Sequence, residues 1–275
     1  MAEISKNTLM FVEDPVETLK ALCCHKDNEI ITNKSFLEKY LKIKNISSYG
    51  ETKAETHLGS LRIYGLVESH PDMAKGDNRM TNKGQTFCKI LRKKIKNPKS
   101  SKQFQDALTN LILKNHYKGA LFKEFLKYIE RAKTVDEIKK KYKWRTTLTL
   151  IAWCKAAGLA KQIGDSVVKT SKKIGTKYTL EKIWDETLST YEEIVNVDPR
   201  RRRLLLHYGD LRYKAACNLQ MRDHDEFDKW FQKILKSKYK KHINLHGAPT
   251  GEYNEEENIL YKRRIYPYIS IVIEE

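Results

Sequence analysis

Three places in the chain bring together side chains that could do chemistry. Asp136-Glu137-Ile138-Lys139 sets two carboxylates beside a lysine. It is the nearest approach here to the set with which metal-dependent nucleases hold a divalent cation and activate water. That chemistry needs its acids on a sheet edge and a further acid to share the metal, whereas this tetrapeptide lies in a helical pattern without a partner acid. Cys23, Cys24 and His25 are adjacent ligand types. They close the apolar run Leu19 to Cys24, where small buried thiols are ordinary, and no second ligand pair follows. His242 and His246 flank a strand-like segment and read as structural or surface imidazoles. The chain lacks a Gly-x-x-x-x-Gly-Lys-Ser/Thr phosphate loop, a Gly-x-Ser-x-Gly elbow, a His-Glu-x-x-His pair and zinc-finger spacing. The expectation is no catalytic residue, no cofactor and no metal, with a metal-dependent nuclease as the lesser alternative.

The remaining polar chemistry is cationic. Across 275 residues, 53 Lys and Arg face 35 Asp and Glu, a formal charge of +18. Such an excess favours a polyanion by Coulomb attraction and counterion release, while a lysine-rich solvated surface is the plainer account. The five cysteines include no Cys-x-x-Cys pair, which points to a reducing cytosol and away from a zinc ribbon. Neither an apolar leader core at the N-terminus nor a window of membrane-span length is present, so no membrane partner and an intracellular, cytoplasmic location are expected.

The elements that must position these cations show an internal echo. Leu61 to Glu68 and Cys154 to Lys161 both end a helical apolar stripe in Gly-Leu, at Gly65 and Gly158. Glycine there takes the left-handed conformation that stops a helix before a strand. Ala54, Leu58 and Leu61 form the first stripe; Leu148, Ile151 and Ala152 form the second. Each stop leads into a short strand, a polar loop and a returning strand, placed at Arg79 onward and at Gly175 to Leu180. Two helical segments precede each stop. The first pair is Val16 to Cys24, after Pro15, and Lys34 to Leu41, capped by Thr32 or Asn33. The second pair is Phe104 to Ile129, broken near Gly119, and Val135 to Tyr142, capped by Thr134.

This grammar resembles the winged helix-turn-helix superfamily. Tyr-Gly-Leu-Val-Glu at 64–68 followed by Met-Thr-Asn-Lys-Gly at 80–84 is similar to its third helix ending in Gly-Leu and its wing closing in Leu-Thr-x-x-Gly, with Met80 in place of Leu. The resemblance is good over residues 14–95 and fair over 103–181. It implies a mainly helical α+β chain of tandem winged-helix domains, three in number, over residues 1–97, 98–182 and 183–275. In the last, 183–196 reads as a connecting helix and Arg200 to Leu206 as its continuation after Asp198-Pro199. Asp210–Leu219 and His224–Leu235 read as a helix pair, and 243–245 and 266–273 as strands of a long hairpin.

The resemblance implies a DNA partner, duplex first, met by third helices in the groove and wings on the backbone. In the first domain the groove candidates are Thr52, Lys53, Thr56 and His57, weakened by Glu51 and Glu55; in the second, Lys143, Arg145, Thr146 and Thr149, with no acid in that helix. Wing candidates are Lys75 and Arg79, offset by Asp72 and Asp77, and Lys169, Lys172 and Lys173. Arg200, Arg201, Arg202 and Arg203 circle one helical turn, so some would clamp phosphates and others pair with Glu192, Glu193 or Asp198. The third domain carries Asp223, Asp225, Glu226 and Asp228 where a reader would need cations, so a protein partner docked there is the second reading. Oligomeric state is left open.

Overall fold

The computed structural model describes residues 12, 14–47, 50–69, 77–93, 102–115, 118–170, 178–197, 205–247, 258–262 and 264–272. The chain is α+β and mainly helical, with small antiparallel sheets. It divides into two compact units, one of Met1–Tyr128 with Asp136–Ala160 and one of Ile129–Val135 with Lys161–Glu275. This division follows neither of the breaks expected at residues 97 and 182.

In chain order, α1 (Pro15–Cys23), α2 (Asn33–Lys44) and α3 (Glu51–Ile63) lead to strands β1 (Val67–Glu68) and β2 (Arg79–Met80), then to α4 (Asn82–Lys93). Asp14 caps α1 by accepting from the Val16 and Glu17 amides, and Thr32 caps α2 in a reciprocal box with Ser35. Gly65 has φ +68°, as its position after α3 requires. β1 and β2 pair antiparallel, Val67 opposite Met80, and Ile31, between α1 and α2, bridges to Asn78 just before β2. The core gathers Leu19 and Leu22 of α1, Phe36 and Tyr40 of α2, and Leu58 and Leu61 of α3, all buried.

Cys23 and Cys88 form a disulfide that ties α1 to α4 across 65 residues, while Cys24 is exposed. Closing a loop of that length stabilises by about 4 kcal/mol in chain-entropy terms. The pairing corrects the reading of Cys23 as an ordinary buried thiol and removes the ground for inferring a reducing compartment from the cysteines.

Helices α5 (Lys102–Leu113) and α6 (Gly119–Tyr128) replace the single interrupted helix, followed by β3 (Lys133–Thr134), α7 (Val135–Tyr142), α8 (Trp144–Ala156), β4 (Ala160–Ile163) and β5 (Ser166–Lys169). In the first unit, Tyr64 meets Trp153 of α8 with ring centroids 4.2 Å apart, and Asn115 donates to the Ile63 carbonyl. The first three helices and α5 to α8 therefore share one apolar interior. In the second unit, β3, β5 and β4 form a sheet in that order, with Gly164-Asp165 as the turn between β4 and β5. The strand that returns against β4 is Ser166–Lys169; of the expected Gly175 to Leu180, residues 175–177 lie outside the described residues. A left-handed Gly164, φ +56°, closes the hairpin at once, and Leu180 already starts a helix.

That helix is α9 (Leu180–Val197). It is followed by β6 (Leu206–His207), α10 (Tyr208–Asn218), α11 (His224–Ile234), a 3-10 turn over Lys238–His242, β7 (Ile243–His246), β8 (Ile259–Tyr261), β9 (Arg264–Tyr266) and β10 (Tyr268–Ile271). Leu206 is a strand residue paired with Ile269, so the helix expected to continue to it does not. The sheet runs β6-β10-β7, and β8 with β9 makes a separate hairpin. One connectivity occurs in two of the sheets: in β3-β5-β4 and in β6-β10-β7 a short strand before a helix pair joins the last strand of its set, which also pairs with the strand after the pair. The first set has the same chain order with a two-stranded β1-β2 pair, and Ile31 adds an isolated bridge to Asn78, the residue before β2.

Candidate nucleic-acid interface

The densest exposed cationic group among the described residues of the first unit surrounds the turn from α7 to α8. Ile138 and Tyr142 are buried, the Tyr142 ring against Phe125 at 5.8 Å, which fixes the end of α7. Lys143 alone then separates the two helices. Its amide donates to the Lys139 carbonyl at 3.0 Å, and its carbonyl accepts from Thr147 at 3.0 Å, closing one helix and opening the next. This forces φ 61° and ψ 159° on a side-chain-bearing residue, a conformation costing about 1–3 kcal/mol. Lys140, Lys141, Lys143, Trp144 and Arg145 are all exposed.

These cations are not equivalent. Lys141 pairs with Glu124 at 3.2 Å and lies over the Tyr128 ring, so its charge is largely spent inside the unit. Lys139 bonds Asp136 at 2.8 Å and sits over the Trp144 ring, 4.3 Å from its centroid. Lys143 and Arg145 have no ion-pair partner among the described residues. Helix α8 itself carries no carboxylate.

Of the four candidates expected on α8, Lys143 and Arg145 are exposed and Thr146 is half-buried beside them. Thr149 is corrected: it is fully buried, and its hydroxyl donates to the Arg145 carbonyl at 3.0 Å, so it serves the helix. The buried stripe is also rotated from the expected one. Thr147, Leu150, Ile151, Trp153 and Cys154 are buried, whereas Leu148 and Ala152 are only half-buried. Polar contact from α8 is therefore concentrated in its first turn.

Helix α3 offers less. His57 is buried, its ring 2.7 Å from the Thr18 hydroxyl and packed on Tyr40, and so is not a groove residue. Thr56 is half-buried, Glu55 is exposed, and the side chains of Thr52 and Lys53 lie outside the described set. Arg62, on the same helix, is held by Asn78 at 2.7 Å. Arg79 is exposed but paired with Glu68 at 3.0 Å across the β1–β2 ladder. Lys75, Lys172 and Lys173 lie outside the described residues, as do Arg200, Arg201, Arg202 and Arg203.

In the second unit Lys169 ends β5 instead of standing in a wing loop. It pairs with Glu130 at 3.4 Å, and its carbonyl accepts from Gln220. Glu193, one expected partner of the arginine run, is taken by Arg131 at 2.9 Å and Lys133 at 3.0 Å, with Lys214 at 4.0 Å. Those charges hold its carboxyl below the ordinary range despite the opposing pull of burial. The acids at the start of α11 have structural duties. Asp223 accepts from the Glu226 amide, Glu226 accepts from the Arg222 amide, and Asp228 binds both the Tyr208 hydroxyl and Arg212. Leu260 and Ile265 face each other across the β8–β9 ladder and are 63% and 41% exposed.

Sequence reasoning passed over Trp144. The signal was an aromatic residue set directly between Lys143 and Arg145; its exposure depends on the phase of α8, which periodicity placed wrongly. Comparison with family models, with curated proteins and with solved structures found no match.

Proposed function

We propose that the chain is a DNA-binding protein built from three winged-helix repeats, with the first turn of α8 as its main contact and no catalytic step of its own. The observation that carries this reading is the exposed Lys143 and Arg145, free of carboxylate partners among the described residues, at the start of an acid-free helix. Groups so placed meet phosphates and base edges when a third helix enters a groove. The connectivity shared by the β3-β5-β4 and β6-β10-β7 sheets, with the Ile31 bridge in the matching place of the first set, supports the winged-helix assignment, because strand, helix, helix and returning hairpin in that order are its grammar. A DNA ligand implies an intracellular protein, nucleoid-associated in the cytoplasm if its source is prokaryotic, and a regulator or a replication or DNA-defence component; this follows from the ligand and not from the cysteines.

The test is fluorescence anisotropy of a labelled duplex titrated with protein at rising salt, with and without magnesium. Wild type should bind with a steep salt dependence and leave the duplex uncut. K143A with R145A should weaken binding about tenfold or more, while R222A with K236A and K238A should have little effect. Equal loss from both sets would remove α8 from its role; metal-dependent cutting would favour a nuclease. The second reading, a docking subunit for a protein partner, draws on the exposed Leu260–Ile265 pair and the acid-rich start of α11. Absence of DNA binding even at low salt would favour it.

A further inference from the structure

We propose that Trp144 is a base-stacking residue, so that the α7–α8 turn selects DNA containing an unpaired base over fully paired duplex. The inference rests on the DNA reading above and goes beyond it by naming the form of the ligand.

Trp144 is 54% exposed and is the only aromatic among the large exposed hydrophobics of the described residues. The contrast with its own kind is sharp: Trp153 is fully buried, Trp184 is 8% exposed and Trp230 is half-buried against Tyr178. An indole left in water forgoes the burial that most tryptophans obtain, so its position invites a flat apolar partner. Lys139 lies over one face of the ring, 4.3 Å from its centroid, and the proposal places the base on the other. The charges around it choose the partner. Lys140 and Lys143 precede it and Arg145 follows, all exposed. A neutral aromatic ligand would not need them, and a cationic one would be repelled. A nucleobase attached to its phosphates answers both features at once, the ring stacking on the indole and the phosphates meeting Lys143 and Arg145.

The form of DNA follows from geometry. In an intact duplex both faces of every internal base are covered by neighbours, and opening a step costs free energy. A bulged base is already partly unstacked and offers its face at small cost. Trp144 opens α8 directly after the turn at Lys143, so its ring stands at a helix start as a platform to which such a base comes.

Three labelled duplexes test this: one fully paired, one with a central one-nucleotide bulge, and one whose bulged position is abasic. The intact protein should bind the base-bearing bulge about tenfold tighter than the abasic one. W144A should erase that difference, and W144F should keep most of it. Wild-type tryptophan emission should be quenched by the base-bearing bulge, with the quench lost in W144F. Melting curves of both variants should match wild type, since the ring is exposed. Equal affinity for the base-bearing and abasic bulges, with strong binding to all three duplexes, would overturn the stacking role while leaving DNA binding in place. A base preference that survives in W144A would also overturn it. Failure to bind any of the three at low salt would overturn the DNA reading itself.

Discussion

Glu29 shows how much a single side chain can be asked to do. Its carboxylate accepts from the Lys26 amide at 2.8 Å and meets the His25 ring at 2.9 Å, with Lys39 at 3.5 Å. The Lys26 hydrogen bond, then His25 and Lys39, hold its pKa down to about 2 against a mild opposing burial. His25 is shifted downward too, because burial disfavours the imidazolium more than Glu29 favours it. Both shifts have the same sign for stability. A depressed carboxyl contributes stability present above its ordinary 4.5 and lost as pH falls toward 2, and a depressed histidine contributes stability lost as pH falls below 6.5. Melting temperature should therefore fall on acidification, and E29Q should flatten the fall between pH 4.5 and 2. At neutral pH E29Q should cost less than about 1 kcal/mol, because the side chain is partly solvated and screened. A scan by circular dichroism checks this, and parallel curves for the two proteins would refute it.

At the scale of elements, Thr81 and Gly84 explain why the Thr-x-x-Gly spelling after β2 matters. The Thr81 hydroxyl donates to the Gly65 carbonyl at 2.7 Å and accepts from the Gly84 amide at 3.0 Å, so one side chain both caps α4 and fastens it to the end of α3. Gly84 lies against the chain here, and a Cβ on it would run into the Leu66 carbonyl oxygen and the Met80 side chain. G84A should therefore destabilise the first unit by about 2 kcal/mol or more, beyond the gain that alanine brings to a helix. G84A melting at or above wild type in urea would show that α4 can shift without cost. Most helices were legible because their apolar stripes and stops are local: Gly65 and Gly158 end α3 and α8 at φ +68° as read. The strands were less legible. β1 and its return at Arg79 were legible, but a two-residue strand such as β3 has its partner, Ser166 and Val167, set by packing far along the chain, and periodicity has nothing to count. The site was legible in its cations and not in its indole. Thr149 misled because a threonine that bonds back to its own helix looks, in sequence, like a polar face.

At the scale of the whole molecule, the boundary expected at residue 182 separates parts that pack together. In the second unit the Cys217 thiol lies 3.3 Å from the Ser166 carbonyl, Gly164 lies under the Tyr213 ring, and Ile163 and Val168 belong to the same buried cluster as Leu211 and Ala215. A fragment of residues 183–275 loses those two apolar side chains, each contributing about 1.5–3 kcal/mol when buried. It should melt about 10 °C or more below a fragment of 161–275, or show no cooperative transition. Equal melting would mean that the β4–β5 hairpin is an appendage. Sequence could not reveal this, because the break expected at residue 182 rests on local polar composition, while the packing that overrides it is non-local.

The chain passes between its units after Tyr128, after Val135 and after Ala160. On the ribosome this sets a timetable. The first unit lacks α8 until residue 160 has emerged, yet by then the short strand at 133–134, which belongs to the other unit, has long been out of the tunnel with nothing to pair with. It must wait for Ser166 and Val167, its partners, and for α10, on which that sheet rests. Synthesis therefore leaves an unsatisfied strand edge in the middle of a half-made protein, and a pause that falls after the strand at 133–134 has left the tunnel but before Ser166, Val167 and α10 have done so would prolong that exposure most.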